Sequence, residues 1–287
     1  MSGYDLIAFD MDGTLLTSKN KVSESSREAI ARAVELGKRI AVCTGRAVGE
    51  IEPYEENELQ NVRYFVCENG ALLYDSETKE ILSSTVIPDE IVEKIIDIID
   101  GEDCMLVGYS KGRNLVDSID AERMDYFYVT RYKELQRKTG KHYDGLYDAY
   151  RKEHFPMEKM NVYASSVEIR DRLFEKIIQL PVTVVYAEDT GFEISPLHMS
   201  KGIGLKQLCE IVKIPLEHTI AVGDSDNDVK MMKVAGLPVA MGNPFQITVC
   251  EDSVKTVLIF LLAYAMGIGI YFSTRRNYRR REEHGSA

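Results

Sequence analysis

Cysteine is scarce in this chain and irregularly spaced. The five cysteines, Cys43, Cys67, Cys104, Cys209 and Cys250, form no CxxC pair, and an odd number in 287 residues argues against a disulfide framework. Histidine is equally uninformative: His142 and His154 have no partner at a metal-ligand spacing. Positive charge is also short. Thirty-five Lys and Arg against 46 Asp and Glu leave a net charge of −11, which speaks against a general nucleic-acid binder. It leaves room for a small anionic ligand, because a site is governed by its local charge. The N-terminus lacks a basic segment followed by an apolar core, so nothing marks export and a cytoplasmic location is expected. There is no internal repeat and no low-complexity linker. What remains is 45% hydrophobic and 28% charged, a globular composition long enough for one large or two medium domains.

The stretch that organises the rest is Asp10-Met11-Asp12-Gly13-Thr14. An apolar run, Tyr4 to Phe9, leads into it and reads as a buried strand. Two carboxylates then leave the strand end two residues apart. One can attack or hold a metal, and the other can move a proton or position the ion through its backbone. A plain Asp-rich turn has the same residue types, so the remaining motifs decide.

Val22 to Leu36 reads as a helix with Ser23 as a candidate N-cap, stopped by Gly37. Lys38 to Cys43 is a second apolar strand ending in Thr44-Gly45-Arg46, a hydroxyl and a glycine amide suited to cradle an oxyanion or phosphate. A short helix and a third strand, Val62 to Cys67, lead to Glu68-Asn69-Gly70. Polar strand ends in a strand–helix alternation predict an α/β fold, a doubly wound, Rossmann-like parallel sheet with its ligand beyond the carboxyl ends of the strands.

The texture changes near Ser83. An amphipathic helix over Pro88–Ile99, strand-like runs at Met160–Ala164 and Val182–Tyr186, a helix over Val167–Gln179 and most of the tyrosines predict an inserted α+β domain. Most of those tyrosines are expected to be core residues of a small sheet. The first domain resumes near Phe192-Glu193-Ile194. Lys201-Gly202 opens a helix running to Ile211; a lysine there is mildly unfavourable by the helix dipole, which points to another task. Thr219 to Val222 is a fourth strand ending in Gly223-Asp224-Ser225-Asp226-Asn227-Asp228. The mutual repulsion of those carboxylates is easiest to understand around a hard divalent cation. Val239 to Gly242 reads as a short fifth strand.

Together DMDGT (10–14), CTGR (43–46), Lys201-Gly202 and GDSDND (223–228) resemble the haloacid dehalogenase superfamily of phosphohydrolases, and the insert and ENGA (68–71) resemble its Cof-type branch. The resemblance implies a core over 1–84 and 195–246 and a cap over 85–194. It implies a Mg²⁺-dependent phosphatase of small phosphorylated metabolites, sugar phosphates foremost, working through an aspartyl-phosphate. Asp10 would be the nucleophile and Asp12 the general acid and base. Mg²⁺ would be held by Asp10, the Asp12 carbonyl and Asp224, with Asp228 supporting the metal shell or orienting Lys201. Met11, between the two aspartates, would join Thr44, Gly45, Lys201 and Asn227 in binding the phosphoryl group, with Arg46 and Asn69 near the substrate. A phosphomutase of the same fold and a non-catalytic phosphate-binding module are the alternatives. A dehalogenase is disfavoured, because Asp12, Thr14 and the acidic cluster suit phosphate.

The chain departs from the family pattern after Asn243. Thr256 to Thr274 is an uncharged run of 19 residues followed by Arg275, Arg276, Arg279, Arg280 and Arg281. As a helix it would span about 28 Å, close to a bilayer core. The arginine cluster opposes that reading for a catalytic domain in the cytosol. Membrane association through 256–274 is therefore an alternative rather than the expectation, beside a buried helix or a tail over 247–287 foreign to the domain.

Overall fold

The apolar run that ends in Asp10 is the middle strand of a parallel sheet. A computed structural model of the protein describes residues 3–241. Its first half runs β1 (Leu6–Asp10), α1 (Glu24–Glu35), β2 (Arg39–Cys43), α2 (Val48–Asn57), β3 (Tyr64–Cys67), β4 (Leu72–Asp75), β5 (Glu80–Ser84), α3 (Asp89–Ile99), β6 (Cys104–Ser110), β7 (Arg113–Asp117), α4 (Ser118–Glu122) and α5 (Thr130–Thr139). The second half continues β8 (Lys141–Tyr143), α6 (Leu146–Glu153), β9 (Lys159–Ala164), α7 (Val167–Ile177), β10 (Val182–Ala187), β11 (Gly191–Pro196), α8 (Lys201–Val212), β12 (Thr219–Gly223), α9 (Val229–Val234) and β13 (Leu237–Ala240). Two compact units result. The first takes residues 3–44, Glu55–Val66 and 201–241; the second takes Gly45–Tyr54 and Cys67–Ser200.

In the first unit β1 pairs in parallel with β2 on one side and β12 on the other, and β3 and β13 extend the sheet outward. All five residues of β1 are buried, as expected of a strand covered on both faces. Register then places the polar strand ends. Asp10 stands opposite Cys43, so Thr44 follows one residue beyond, and Phe9 stands opposite Val222, so Asp224 leaves the same edge. Helix α1 starts where the Ser23 side chain accepts a hydrogen bond from the Ser26 amide at 3.1 Å. Such a cap contributes about 1 kcal/mol. The fifth strand is Leu237–Ala240, two residues earlier than the sequence pattern indicated.

The second unit is built on a six-stranded sheet in the order β10-β11-β9-β6-β7-β8, antiparallel except for the β7–β8 pair. One face packs on α3, whose Ile91, Val92, Ile95, Ile96 and Ile99 are all buried, and on Leu173 and Ile177 of α7. Burying each such side chain contributes about 1.5–3 kcal/mol. Tyr109, Tyr150 and Tyr163 are buried, whereas Tyr126, Tyr128 and Tyr186 are exposed. Among the described residues no helix is long and apolar enough to cross a membrane. The tail 247–287, with its run 256–274, lies outside the described residues.

Candidate active site

β1 delivers Asp10 to the sheet edge with 3% of its surface exposed. The chain then turns through Met11–Leu15, and the Leu16 amide closes the turn on the Met11 carbonyl at 2.9 Å. Met11 is buried; Asp12 is extended and exposed. Gly13 has φ +93°, and a Cβ there would stand 2.3 Å from an Asp224 carboxylate oxygen, so the turn needs glycine for conformation and for space. The Thr14 hydroxyl donates to Asp224 Oδ1 at 2.7 Å and ties this turn to the end of β12.

Lys201, first residue of α8, is 2% exposed. Its Nζ donates to Asp10 Oδ1 at 2.5 Å, to Asp228 Oδ1 at 2.8 Å and to Asn227 Oδ1 at 3.5 Å. Three ammonium protons thus meet three acceptors, which accounts for a cation where the helix dipole disfavours one. Asp228 is fully buried, and its Oδ2 accepts from the Asp224 and Ser225 amides and from the Ser225 hydroxyl, each at 3.1 Å. Asn227 is exposed and accepts from the Ser225 hydroxyl at 2.6 Å.

Carboxylate oxygens of Asp10, Asp224 and Asp228 lie within 4.8 Å of one another. Burial pushes the Asp10 carboxyl up to about 7, against the pull of Lys201. Burial also raises Asp224, with the Thr14 hydroxyl opposing it. For Lys201 burial works to lower the value, but Asp10 and Asp228 outweigh it and hold the ammonium above its usual range. Asp10 Oδ2 is buried with no hydrogen-bond partner. An oxygen-only donor set with an unsatisfied buried acceptor fits a hard divalent cation.

The first unit therefore gathers Asp10, Thr14, Lys201, Asp224, Asn227 and Asp228, and carries Asp12 on the turn and buried Thr44 at the end of β2. Gly45, Arg46 and Asn69 belong to the second unit. There the Arg46 guanidinium lies 5.3 Å from the centre of the Tyr54 ring, and Asn69 Nδ2 donates to Glu193 Oε2 at 2.6 Å. Lys159 Nζ donates to Glu193 Oε1 at 2.7 Å and to the Gly45 carbonyl at 3.0 Å. Lys159 was not among the residues singled out from sequence. The available signal was the polar alternation Lys159, Asn161, Tyr163 within an otherwise apolar strand.

The family model for haloacid dehalogenase-like hydrolases matches residues 7–247. The chain belongs to that family. Among relatives of the family, the phosphatase YwpJ of Bacillus subtilis is 30% identical, with 83% of this chain and 89% of that one covered. The pyridoxal phosphate phosphatase YbhA of Escherichia coli is 27% identical, over 87% of this chain and 90% of its own. Among solved structures of this family, a haloacid dehalogenase-like hydrolase from Bacteroides thetaiotaomicron superposes with a TM-score of 0.71 at 27% identity, covering 85% of this chain and 90% of that one. The expected α/β fold class and family are thus what the protein has.

Proposed function

We propose that the protein is a Mg²⁺-dependent phosphatase of small phosphorylated metabolites, with sugar phosphates the leading class, acting through an aspartyl-phosphate. The observation that carries the reading is buried Asp10 with one oxygen held by Lys201 and the other without a partner, beside Asp224 and Asp228. Relatives named as phosphatases support it.

On this reading the ionised Asp10 attacks phosphorus, the ester bond to the leaving oxygen breaks, and Asp12 gives that oxygen its proton. Asp12 then takes a proton from a water molecule, whose oxygen attacks the phosphorus and releases Asp10 and inorganic phosphate. Exposure suits Asp12 to exchanging protons with water. Lys201 favours the ionised form of Asp10 against its burial and is a donor for phosphoryl oxygens, as are Thr44, the Gly45 amide and Asn227. Asp10, Asp224 and the Asp12 carbonyl would hold Mg²⁺, and Asp228 would support that shell; the ion would neutralise charge between carboxylate and phosphate dianion. Residues 85–194 take the role of cap in this reading and select the leaving group.

The test is phosphate release from a panel of sugar, nucleotide and pyridoxal phosphates, with and without Mg²⁺, with Asp10→Asn as control. Release is expected only with Mg²⁺, and the control is expected to lose at least 10³-fold while keeping its circular dichroism. Full activity in Asp10→Asn removes the covalent mechanism, and an isomeric phosphate ester in place of free phosphate identifies a mutase.

A further inference from the structure

Strand β9 sorts its side chains by face. Met160, Val162 and Ala164 join the apolar cluster with α3 and α7. Lys159, Asn161 and Tyr163 alternate with them and so point to the other face. Lys159 is 1% exposed, an environment that lysine occupies only when its charge is paired.

Its partners form a closed ring. Lys159 Nζ donates to Glu193 Oε1 at 2.7 Å and to the Gly45 carbonyl at 3.0 Å, and stands 4.8 Å from the centre of the Tyr109 ring. The other Glu193 oxygen accepts from Asn69 Nδ2 at 2.6 Å. Asn69 Oδ1, buried and without a hydrogen-bond partner, would meet a Gly45 Cβ at 3.2 Å, and Lys159 Nζ would meet it at 3.5 Å. One carboxylate therefore ties together the two side chains that box in Gly45. Asn69 is held at φ +56°, between Glu68 at +54° and Gly70 at +100°. Backbone so rarely populated persists only where its surroundings fix it.

Gly45 follows Thr44 directly in the chain. The Gly45–Arg46 peptide is planar and trans, so its carbonyl and the Arg46 amide point in opposite directions. A carbonyl held by Lys159 thus aims the Arg46 amide away from Lys159, and the Asn69 contact limits movement of the Gly45 α-carbon. We propose that Lys159 and Glu193 are positioning residues: their ion pair, with Asn69, locks the Thr44-Gly45-Arg46 loop so that the Gly45 and Arg46 amides are set for a phosphoryl group. The proposal rests on the phosphatase reading, which assigns that loop to phosphate. A purely structural ion pair would affect stability alone.

Three variants separate these roles. Lys159→Met removes the clamp and leaves a part-buried carboxylate without its counter-charge. The double variant Lys159→Met/Glu193→Gln removes the clamp without the stranded charge and is the fold control. Asn69→Ala opens the ring and leaves the ion pair. Thermal midpoint, Mg²⁺ affinity without phosphate, inorganic phosphate affinity with Mg²⁺ (by calorimetry) and kcat/KM are measured for each. The expected result for the folded double variant is Mg²⁺ affinity within twofold of wild type, phosphate binding at least tenfold weaker and kcat/KM reduced about 10²-fold, with Asn69→Ala intermediate. A double variant that matches wild type in phosphate binding overturns the clamp alone. If the double variant does not fold, Asn69→Ala decides: phosphate affinity equal to wild type overturns the proposal, and a loss without change in Mg²⁺ affinity supports it. A wild-type protein that neither binds nor releases phosphate overturns the phosphatase reading and the clamp with it.

Discussion

Lys201 and Glu68 are two buried charged-type residues with opposite solutions. Lys201 meets three oxygen acceptors, and the pairing outweighs the loss of hydration. Glu68 is fully buried, and neither carboxylate oxygen has a hydrogen-bond partner. Burial is the main reason its carboxyl sits well above the usual range; Glu158 and Glu50 add to it, and Lys159 opposes. The sign of the pH effect follows. Native Glu68 keeps a proton that the unfolded chain releases above about 4.5. Its contribution to stability is complete below that value and is lost as pH rises toward the native one. Glu68→Gln is therefore expected to match wild type at pH 4 and to be the more stable at pH 8. The difference grows by up to about 1.4 kcal/mol per pH unit in between. Urea unfolding at pH 4, 6 and 8 measures it. A variant that is weaker at pH 8 would mean that Glu68 is ionised and paired.

At the scale of elements, the turn after β1 carries the most function per residue. Gly13→Ala is expected to disturb it twice, through a left-handed φ that costs about 1–2 kcal/mol and through a Cβ that collides with Asp224. Mg²⁺ titration should show at least tenfold weaker binding, with the far-ultraviolet spectrum unchanged; unaltered Mg²⁺ affinity would separate Asp224 from the metal. This turn was legible in the sequence because β1 is a continuous apolar run with nowhere to go but the centre of a sheet. Helix α1 was legible for a similar local reason, the Ser23 cap. The strand β13 was read two residues late because Pro238 looks like a strand breaker. It is tolerated because β13 pairs with β12 and, among the described residues, ends the sheet order, and an edge strand does not need every amide. The ring around Gly45 was only half legible. Asn69 sits in a recognisable motif, but Lys159 and Glu193 are distant in sequence and meet only when β9 and β11 pair. The polar alternation along β9 marks Lys159 but does not reveal the carboxylate that neutralises its charge across strands.

For the whole molecule, a net charge of −11 coexists with a reading in which the ligand is a phosphate anion. The conflict resolves locally. Asp10 and Asp228 pair with buried Lys201 while Asp224 lies beside them, and the unpartnered Asp10 oxygen leaves the group short of positive charge. On the proposed reading a divalent cation would supply it, and would bind the native first unit far better than the unfolded chain. At a concentration 100 times its Kd such a ligand adds about 2.7 kcal/mol to the stability of whatever it binds. Mg²⁺ is thus expected to raise the thermal midpoint of the wild-type protein measurably over a chelated sample. The increment should be reversible on adding the chelator, and it should be absent from Asp224→Asn. Differential scanning calorimetry of both proteins, with Mg²⁺ and with chelator, makes the comparison. Equal increments in the two proteins would place the ion elsewhere and take Asp224 out of the site. The same scans carry a second constraint, because Lys159→Met/Glu193→Gln lies in the other unit and should keep the full Mg²⁺ increment while losing phosphate affinity. The metal site and the Gly45–Arg46 part of the phosphate loop are then separable by which unit a substitution touches, and each can fail without the other.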